Sequence, residues 1–202
     1  ACDGSDVWLH EGFGMYTEVL YIEDQLGYPM SVHYLLERRK GIRNRRAIVG
    51  PRDEYFWGFE DAYNKGAWII HTLRNVIDDD AMFFGILSGF QQEYAKQIVC
   101  TEDLVEYING VTGKDFYAFF NQYIFDRRPP VLEYNITDNK LFYRYDGIVD
   151  GFSMPVNVLV NKEEIRLRPT TSTQGIDIPD YATVQIMDWE YLIMKKENKM
   201  LK

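Results

Sequence analysis

Apolar positions recur at helical spacing before Arg127-Arg128-Pro129-Pro130 and at strand spacing after it. Ser5 and Asp6 can cap a first helix that runs toward Leu26, and Gly27 followed by Tyr28-Pro29 can end it. A second helix is expected from about Met30 to Arg39. A third should begin near Phe59 or Glu60, with Trp68, Ile69, Leu73 and Val76 on its apolar face. Asp78 to Asp80 can cap a fourth, carrying Phe83, Ile86, Leu87, Phe90 and Tyr94. Thr101-Glu102-Asp103 opens a fifth, expected to stop before Gly110, and Asp115 precedes a last helix with an aromatic face. Beyond Pro130, Val156, Val158 and Val160 alternate with Asn157, Leu159 and Asn161, and Ile165 and Leu167 alternate with arginines. Turn signals at Asp138-Asn139, Asp150-Gly151, Asn161-Lys162 and Pro179-Asp180 divide six or seven short strands. The chain therefore divides into a helical region, 1–128, and a small antiparallel β-sandwich, 129–202, an α+β organisation.

The 202 residues are enough for a sizeable core, and 46% hydrophobic residues with 15% aromatics fit a globular protein. A net charge of −9 argues against nucleic acid as the main partner, because phosphate binding needs a basic surface. No apolar run is long enough to span a bilayer, and the first residues have neither the basic nor the apolar region of a signal peptide. Cys2 and Cys100 form no metal or redox motif, and they pair only if the fold brings them together.

The segment DVWLHEGFGMYTE, Asp6 to Glu18, carries the densest chemical signal. Glu11 shares a helix side with Val7, Trp8, Gly14 and Met15, and Glu18 projects from that side two turns on. Leu9, Phe13, Tyr16 and Leu20 occupy the opposite face. A helix apolar on both faces is expected to be buried, so the Glu11 carboxylate should meet a cation, a metal or several donors. The two glutamates do not form a hydrolytic carboxylate pair. Seven residues of helix rise about 10.5 Å, and side chains on one helix do not face each other across a glycoside.

The string WLHEGFGMYTE resembles the W-L-x-E-G-F-A-x-Y-x-E segment of the membrane alanyl aminopeptidase family, zinc gluzincins with a thermolysin-like catalytic domain. A second match, Tyr63-Asn64-Lys65-Gly66-Ala67, resembles that family's Y-x-K-G-A string. TEDLVEYI, GKDFYAFFNQYIF and PPVLEY are similar to softer family patterns downstream. The resemblance implies the helical C-terminal half of a catalytic domain followed by a β-sandwich domain. It implies a peptide substrate, Glu11 as the third zinc ligand, Glu18 behind it, and Tyr63 as the donor to the oxyanion of the tetrahedral intermediate. Tyr55 is a competitor for the last role, because the Glu11-to-Tyr63 interval is shorter than in many relatives. Gly14 stands where alanine is commoner.

The same resemblance implies what these residues lack. The family's H-E-x-x-H would end nineteen positions before Glu11, and only ten residues precede it here. Both zinc histidines, the general-base glutamate between them and the G-x-M-E-N amine-binding loop are missing. His10 points about 100° away from Glu11 on the helix, and His33 and His71 lie on other helices. The expectation is a fragment of a zinc aminopeptidase, inactive by itself, binding no cofactor tightly, with a helix face open to self-association. The resemblance favours a periplasmic or membrane-associated setting over the cytoplasm. A rival reading is a helical scaffold bearing a β-sandwich module for peptide or glycan, with Tyr143, Tyr145, Phe152, Tyr181 or Trp189 as stacking surface. The basic residues from Arg38 to Arg46 read as a solvated helix end, and Arg127 and Arg128 as linker charges that pair with acidic groups.

Overall fold

The computed structural model describes residues 1–2, 4–50, 52 and 60–202. A short 3-10 turn, Gly4–Asp6, leads into α1 (Val7–Leu26), which is followed by α2 (Tyr28–Arg39), α3 (Glu60–Ile77), α4 (Asp80–Glu93), α5 (Thr101–Thr112) and α6 (Tyr117–Phe120). The last runs on as a π-helical turn, Asn121–Phe125. Strands β1 (Val131–Thr137), β2 (Lys140–Asp146), β3 (Val156–Val160), β4 (Glu163–Leu167), β5 (Gln174–Asp177), β6 (Val184–Ile186) and β7 (Met194–Glu197) complete the described elements. Tyr55 lies outside the described residues.

Local chemistry sets most boundaries. Gly27, at φ +86°, ends α1 and starts α2, and Pro29 fits the first turn of α2, where an N–H has no intrahelical partner anyway. Asp79 caps α4 by accepting from the Met82 N–H at 2.9 Å. Two boundaries differ from expectation. Gly110 does not stop α5, which continues to Thr112 and ends at Gly113, the residue with the left-handed φ of +65°. Asp6 does not cap α1 with its side chain. Its buried carboxylate accepts instead from the Thr101 N–H (3.0 Å) and hydroxyl (2.6 Å) and from Arg52, so it ties the start of α1 to the start of α5.

The strands form two sheets, ordered β5-β2-β1-β7 and β4-β3-β6. All pairs are antiparallel except β1 with β7. The β1–β2 and β3–β4 hairpins turn through Asp138-Asn139 and Asn161-Lys162, and all four residues have positive φ, as two-residue primed turns require. Inward-facing Leu141, Tyr143 and Tyr145 join Phe152, Val156 and Val158 in a core continuous with the helices. This corrects the reading of Tyr143, Tyr145 and Phe152 as stacking surface. The β2 pleat aims the two tyrosines inward and Phe152 packs beside them, all at most 7% exposed, and of the five only Tyr181 is fully exposed.

One segment without regular structure joins the strands to the helices. Helix and π-turn side chains donate to five of its carbonyls. Arg39 donates to those of Asp188 (2.6 Å) and Ile193, His71 to Trp189 (3.2 Å), Asn75 to Glu190 (3.2 Å), and Tyr123 to Leu192 (3.0 Å). Buried carbonyls need donors, and here they come from residues 69 or more positions away rather than from a neighbouring strand.

Cys2 and Cys100 are joined in a disulfide, with their Cα atoms 5.1 Å apart and a separation of 98 positions in sequence. Closing so long a loop restricts the unfolded chain. Cys2→Ser is therefore expected to cost about 2–4 kcal/mol in urea unfolding. Identical melting curves with and without a reductant would show instead that the folded protein does not rely on the bond.

Candidate active site

The candidate site is built where α1 crosses α3. Gly12 and Gly66 meet at the crossing. A Cβ placed on Gly12 would lie 2.9 Å from the Gly66 Cα, and one on Gly66 would lie 2.8 Å from the Gly12 Cα. No side chain fits there, so glycine on both helices is what lets the two backbones approach. Trp8, Tyr16 and Val19 of α1 and Ala62, Ala67, Ile69 and Ile70 of α3 bury the rest of the contact. The Trp8 indole N–H donates to the Thr101 hydroxyl at 2.8 Å, which fixes the first turn of α1.

Glu11 immediately precedes one glycine, and Tyr63 lies one turn before the other. The crossing brings them together, close enough that the Glu11 carboxylate acts on the Tyr63 phenol. That carboxylate, as an acceptor for the phenol, is the main reason Tyr63 titrates above its ordinary value, so Tyr63 is a neutral O–H donor at physiological pH. Tyr63 is 40% exposed and Glu11 half-buried, so both are open to a ligand. Among the described residues no Lys or Arg forms an ion pair with Glu11. The group beside it is the Tyr63 phenol rather than the expected cation.

Glu18 lies two turns away and is occupied differently. It accepts from the Tyr34 hydroxyl, and Arg38 donates to that same hydroxyl at 2.5 Å while standing 3.9 Å from the carboxylate. Gly14 is exposed, with open space where a Cβ would stand. The opposite stripe of α1 is not fully buried as expected. Leu9, Phe13 and Leu20 face α4 across an open groove whose lining, among the described residues, contains no Asp, Glu, Lys or Arg.

The histidines do not gather at Glu11. His10 Nε2 lies 2.7 Å from the Ala1 backbone nitrogen, and His33 is exposed. His71 is buried. Its Nε2 faces the Trp189 carbonyl (3.2 Å) and its Nδ1 faces the Tyr16 hydroxyl (3.3 Å). A carbonyl only accepts, so Nε2 carries the hydrogen and Nδ1 accepts from Tyr16. Burial lowers the His71 pKa to about 4. Among the described residues the one group of three His, Cys, Asp or Glu side chains close enough to share an ion is Cys2, Asp6 and Cys100. The disulfide occupies two of these, and Asp6 is held by Thr101 and Arg52. These residues do not assemble a zinc-ligand set around Glu11.

Two residues support the site: Lys65, which stands inside the Tyr63–Ala67 string, and Asp61, which no sequence signal marked. Lys65, fully buried, reaches the carbonyls of Asp126 (3.4 Å) and Arg127 (3.2 Å), and burial lowers its pKa to about 8. Asp61 accepts the backbone N–H groups of Arg43 (2.7 Å) and Asn44 (2.8 Å), which pins the preceding loop to the first turn of α3. Arg128 pairs with Asp126 at 2.6 Å, as its linker position suggested.

The buried ionisable groups give opposing pH effects. Folded His71 binds fewer protons than the unfolded chain between pH 6.5 and about 4, so its contribution falls as pH drops through that window, by up to about 3 kcal/mol. Glu190 is raised to about 7, first by burial and then by Glu164, so its contribution is lost as pH rises from 4.5 to about 7. Urea midpoints should therefore be nearly flat between pH 4.5 and 6.5. In His71→Gln they should decline with rising pH across the same range. A midpoint that still falls on acidification in that variant would mean that another group carries the acid sensitivity.

Residues 2–123 match the model of the peptidase family M1 domain. Aminopeptidase N of Lactococcus lactis subsp. lactis is 26% identical over 198 residues, a match covering 88% of this chain and 23% of that protein. The crystal structure of Legionella pneumophila aminopeptidase A in complex with aspartic acid superposes with a TM-score of 0.70 at 16% identity, over 97% of this chain and 24% of that one. The likeness of fold covers both the helices and the strands, an aminopeptidase-type helical part followed by a small β domain. The chain spans about a quarter of the length of these relatives.

Proposed function

Because the chain belongs to peptidase family M1, we propose that it supplies the second part of the active site of a zinc-dependent aminopeptidase that removes N-terminal residues from peptides. The observation that carries this reading is the Gly12–Gly66 crossing, which sets Tyr63 beside Glu11. M1 aminopeptidases are zinc-dependent in general. Glu11 takes the place of the third zinc ligand, and the remaining ligands, the general base and the amine-binding loop belong to sequence outside these 202 residues. When bound, the metal supplies Lewis-acid chemistry. This chain's own part is the phenol. Tyr63 holds a neutral donor beside the carboxylate and presents it to negative charge that develops on a scissile carbonyl oxygen. Glu18, with Tyr34 and Arg38, keeps that side of α1 polar two turns from the reacting groups.

The charge-free groove between α1 and α4 supports a further part of the proposal, that this face is covered either by the rest of the parent polypeptide or by a second copy. The Cys2–Cys100 disulfide favours an oxidising setting, in line with a periplasmic or membrane-associated protein. The rival stacking module is left with Tyr181 as its one fully exposed aromatic, since three of its five candidates are in the core.

The test has two arms. The 202-residue chain should hydrolyse no aminoacyl anilide and bind zinc weakly in calorimetry, and submicromolar zinc binding would sink the ligand assignment. In the full-length parent, Tyr63→Phe should lower kcat by about 10²–10³ with KM little changed. An unchanged kcat would remove Tyr63 from the reaction.

A further inference from the structure

A second cleft, of about 430 Å³, opens at the far end of α3, about 20 Å along the helix from Tyr63. It lies between the C-terminus of α3, the turn before α6 and strand β4, and its apolar lining includes Ile77, Phe116, Phe119 and Pro155. Three cations reach it. Arg166 is already committed, for it donates to the carbonyls of Asn75 and Val76 at 3.0 Å each and stands 3.4 Å from Asp78. Lys114 and Arg168 are not. Both are exposed, and among the described residues neither side chain has a hydrogen-bond or ion-pair partner. Of the lining carboxylates, Asp78 faces Arg166, and Asp115 spends one oxygen on the Tyr117 N–H at 2.8 Å.

We propose that this cleft binds an organic carboxylate with an apolar body, the chemistry shared by an apolar amino acid and by the C-terminal residue of a peptide. Lys114 and Arg168 receive the carboxylate, and the aromatic and proline surfaces receive the apolar group. The argument is one of complementarity. In a chain of net charge −9, two uncommitted cations line a concave surface of mixed polar and apolar character. A charged acceptor there gains charge-assisted hydrogen bonds that no group of the protein supplies. The proposal does not depend on the metallopeptidase reading, since it uses neither Glu11 nor Tyr63.

Titration of the ¹⁵N-labelled chain with N-acetyl-L-phenylalaninate, followed by amide shifts, tests it. Saturable shifts are expected at residues 76–78, 114–119 and 166–168, and the affinity should fall at least roughly tenfold for the matching carboxamide and for the Arg168→Gln/Lys114→Gln double variant. Both substituted side chains are exposed, so the fold is preserved. L-Phenylalanine binding more tightly than the acetylated acid supports a free amino acid as the source, and the reverse order supports a peptide terminus. No saturation by about 20 mM, or equal binding of acid and carboxamide, or no loss in the double variant, overturns the proposal.

Discussion

Gly66→Val should cost more than about 4 kcal/mol or prevent folding, and Gly12→Val should do the same. The nearest atoms at both sites belong to backbone, which cannot swing aside as a flexible side chain does. Alanine makes the sharper comparison. On an open helix position, Gly→Ala stabilises by about 0.5–1 kcal/mol, because alanine loses less conformational entropy. Gly14 is such a position, with nothing within 4 Å of its would-be Cβ. Gly14→Ala should therefore stabilise, while Gly12→Ala and Gly66→Ala should destabilise by about 1–3 kcal/mol through overpacking. The functional readout follows from the same displacement. If α1 and α3 are pushed apart, Tyr63 moves away from the Glu11 carboxylate and its phenol titrates closer to the ordinary tyrosine value by ultraviolet absorbance. Stabilisation of the same sign and size at all three glycines would refute the crossing as the device that joins Glu11 to Tyr63.

Arg74→Met is expected to destabilise by about 3 kcal/mol. Arg74 is 8% exposed and makes two forks. One goes to Glu23 of α1 (2.7 and 2.9 Å) and one to Asp80 of α4 (2.7 and 2.8 Å). Its guanidinium also lies 5.1 Å from the Phe84 ring. One residue thus fastens α3 to the helices on both sides. Methionine replaces its apolar stem well, but it leaves Glu23, itself mostly covered, without its cation. Asp80 is exposed and returns to water at little cost. Arg74→Lys should recover less than half the loss, because one ammonium cannot occupy both forks. Glu23→Gln in the Arg74→Met background should restore part of the stability by removing the stranded charge. Additive losses in that double variant would mean that the two side chains do not act as a pair.

How much of this was legible beforehand varies by element. The helix order, the hairpins at Asp138-Asn139 and Asn161-Lys162 and the Asp79 cap follow from local pattern, because those residues act on their own backbone or on a neighbour within a turn. Asp6 and Gly110 were misjudged by the same local logic. A cap-like aspartate was claimed by Thr101, 95 positions away, and a helix-ending glycine was passed over because Gly113 supplies the left-handed cap. The aromatics of the β part were read as surface, although alternation alone does not say which side of a strand meets the core.

The sequence by itself determined which segments are helix and which are strand, and it singled out the Glu11 and Tyr63 strings in a chain of 31 acidic residues and 15 tyrosines. Periodicity and turn chemistry are properties of a few consecutive residues, so they are readable without the fold. Only the tertiary structure decided that Gly12 meets Gly66, that Cys2 meets Cys100, and that the carbonyls of the segment before β7 are satisfied by α2, α3 and the π-turn. Each of these joins residues far apart in the chain. Their pairing is selected by which helix faces pack without a void or a clash, and no local pattern encodes that choice.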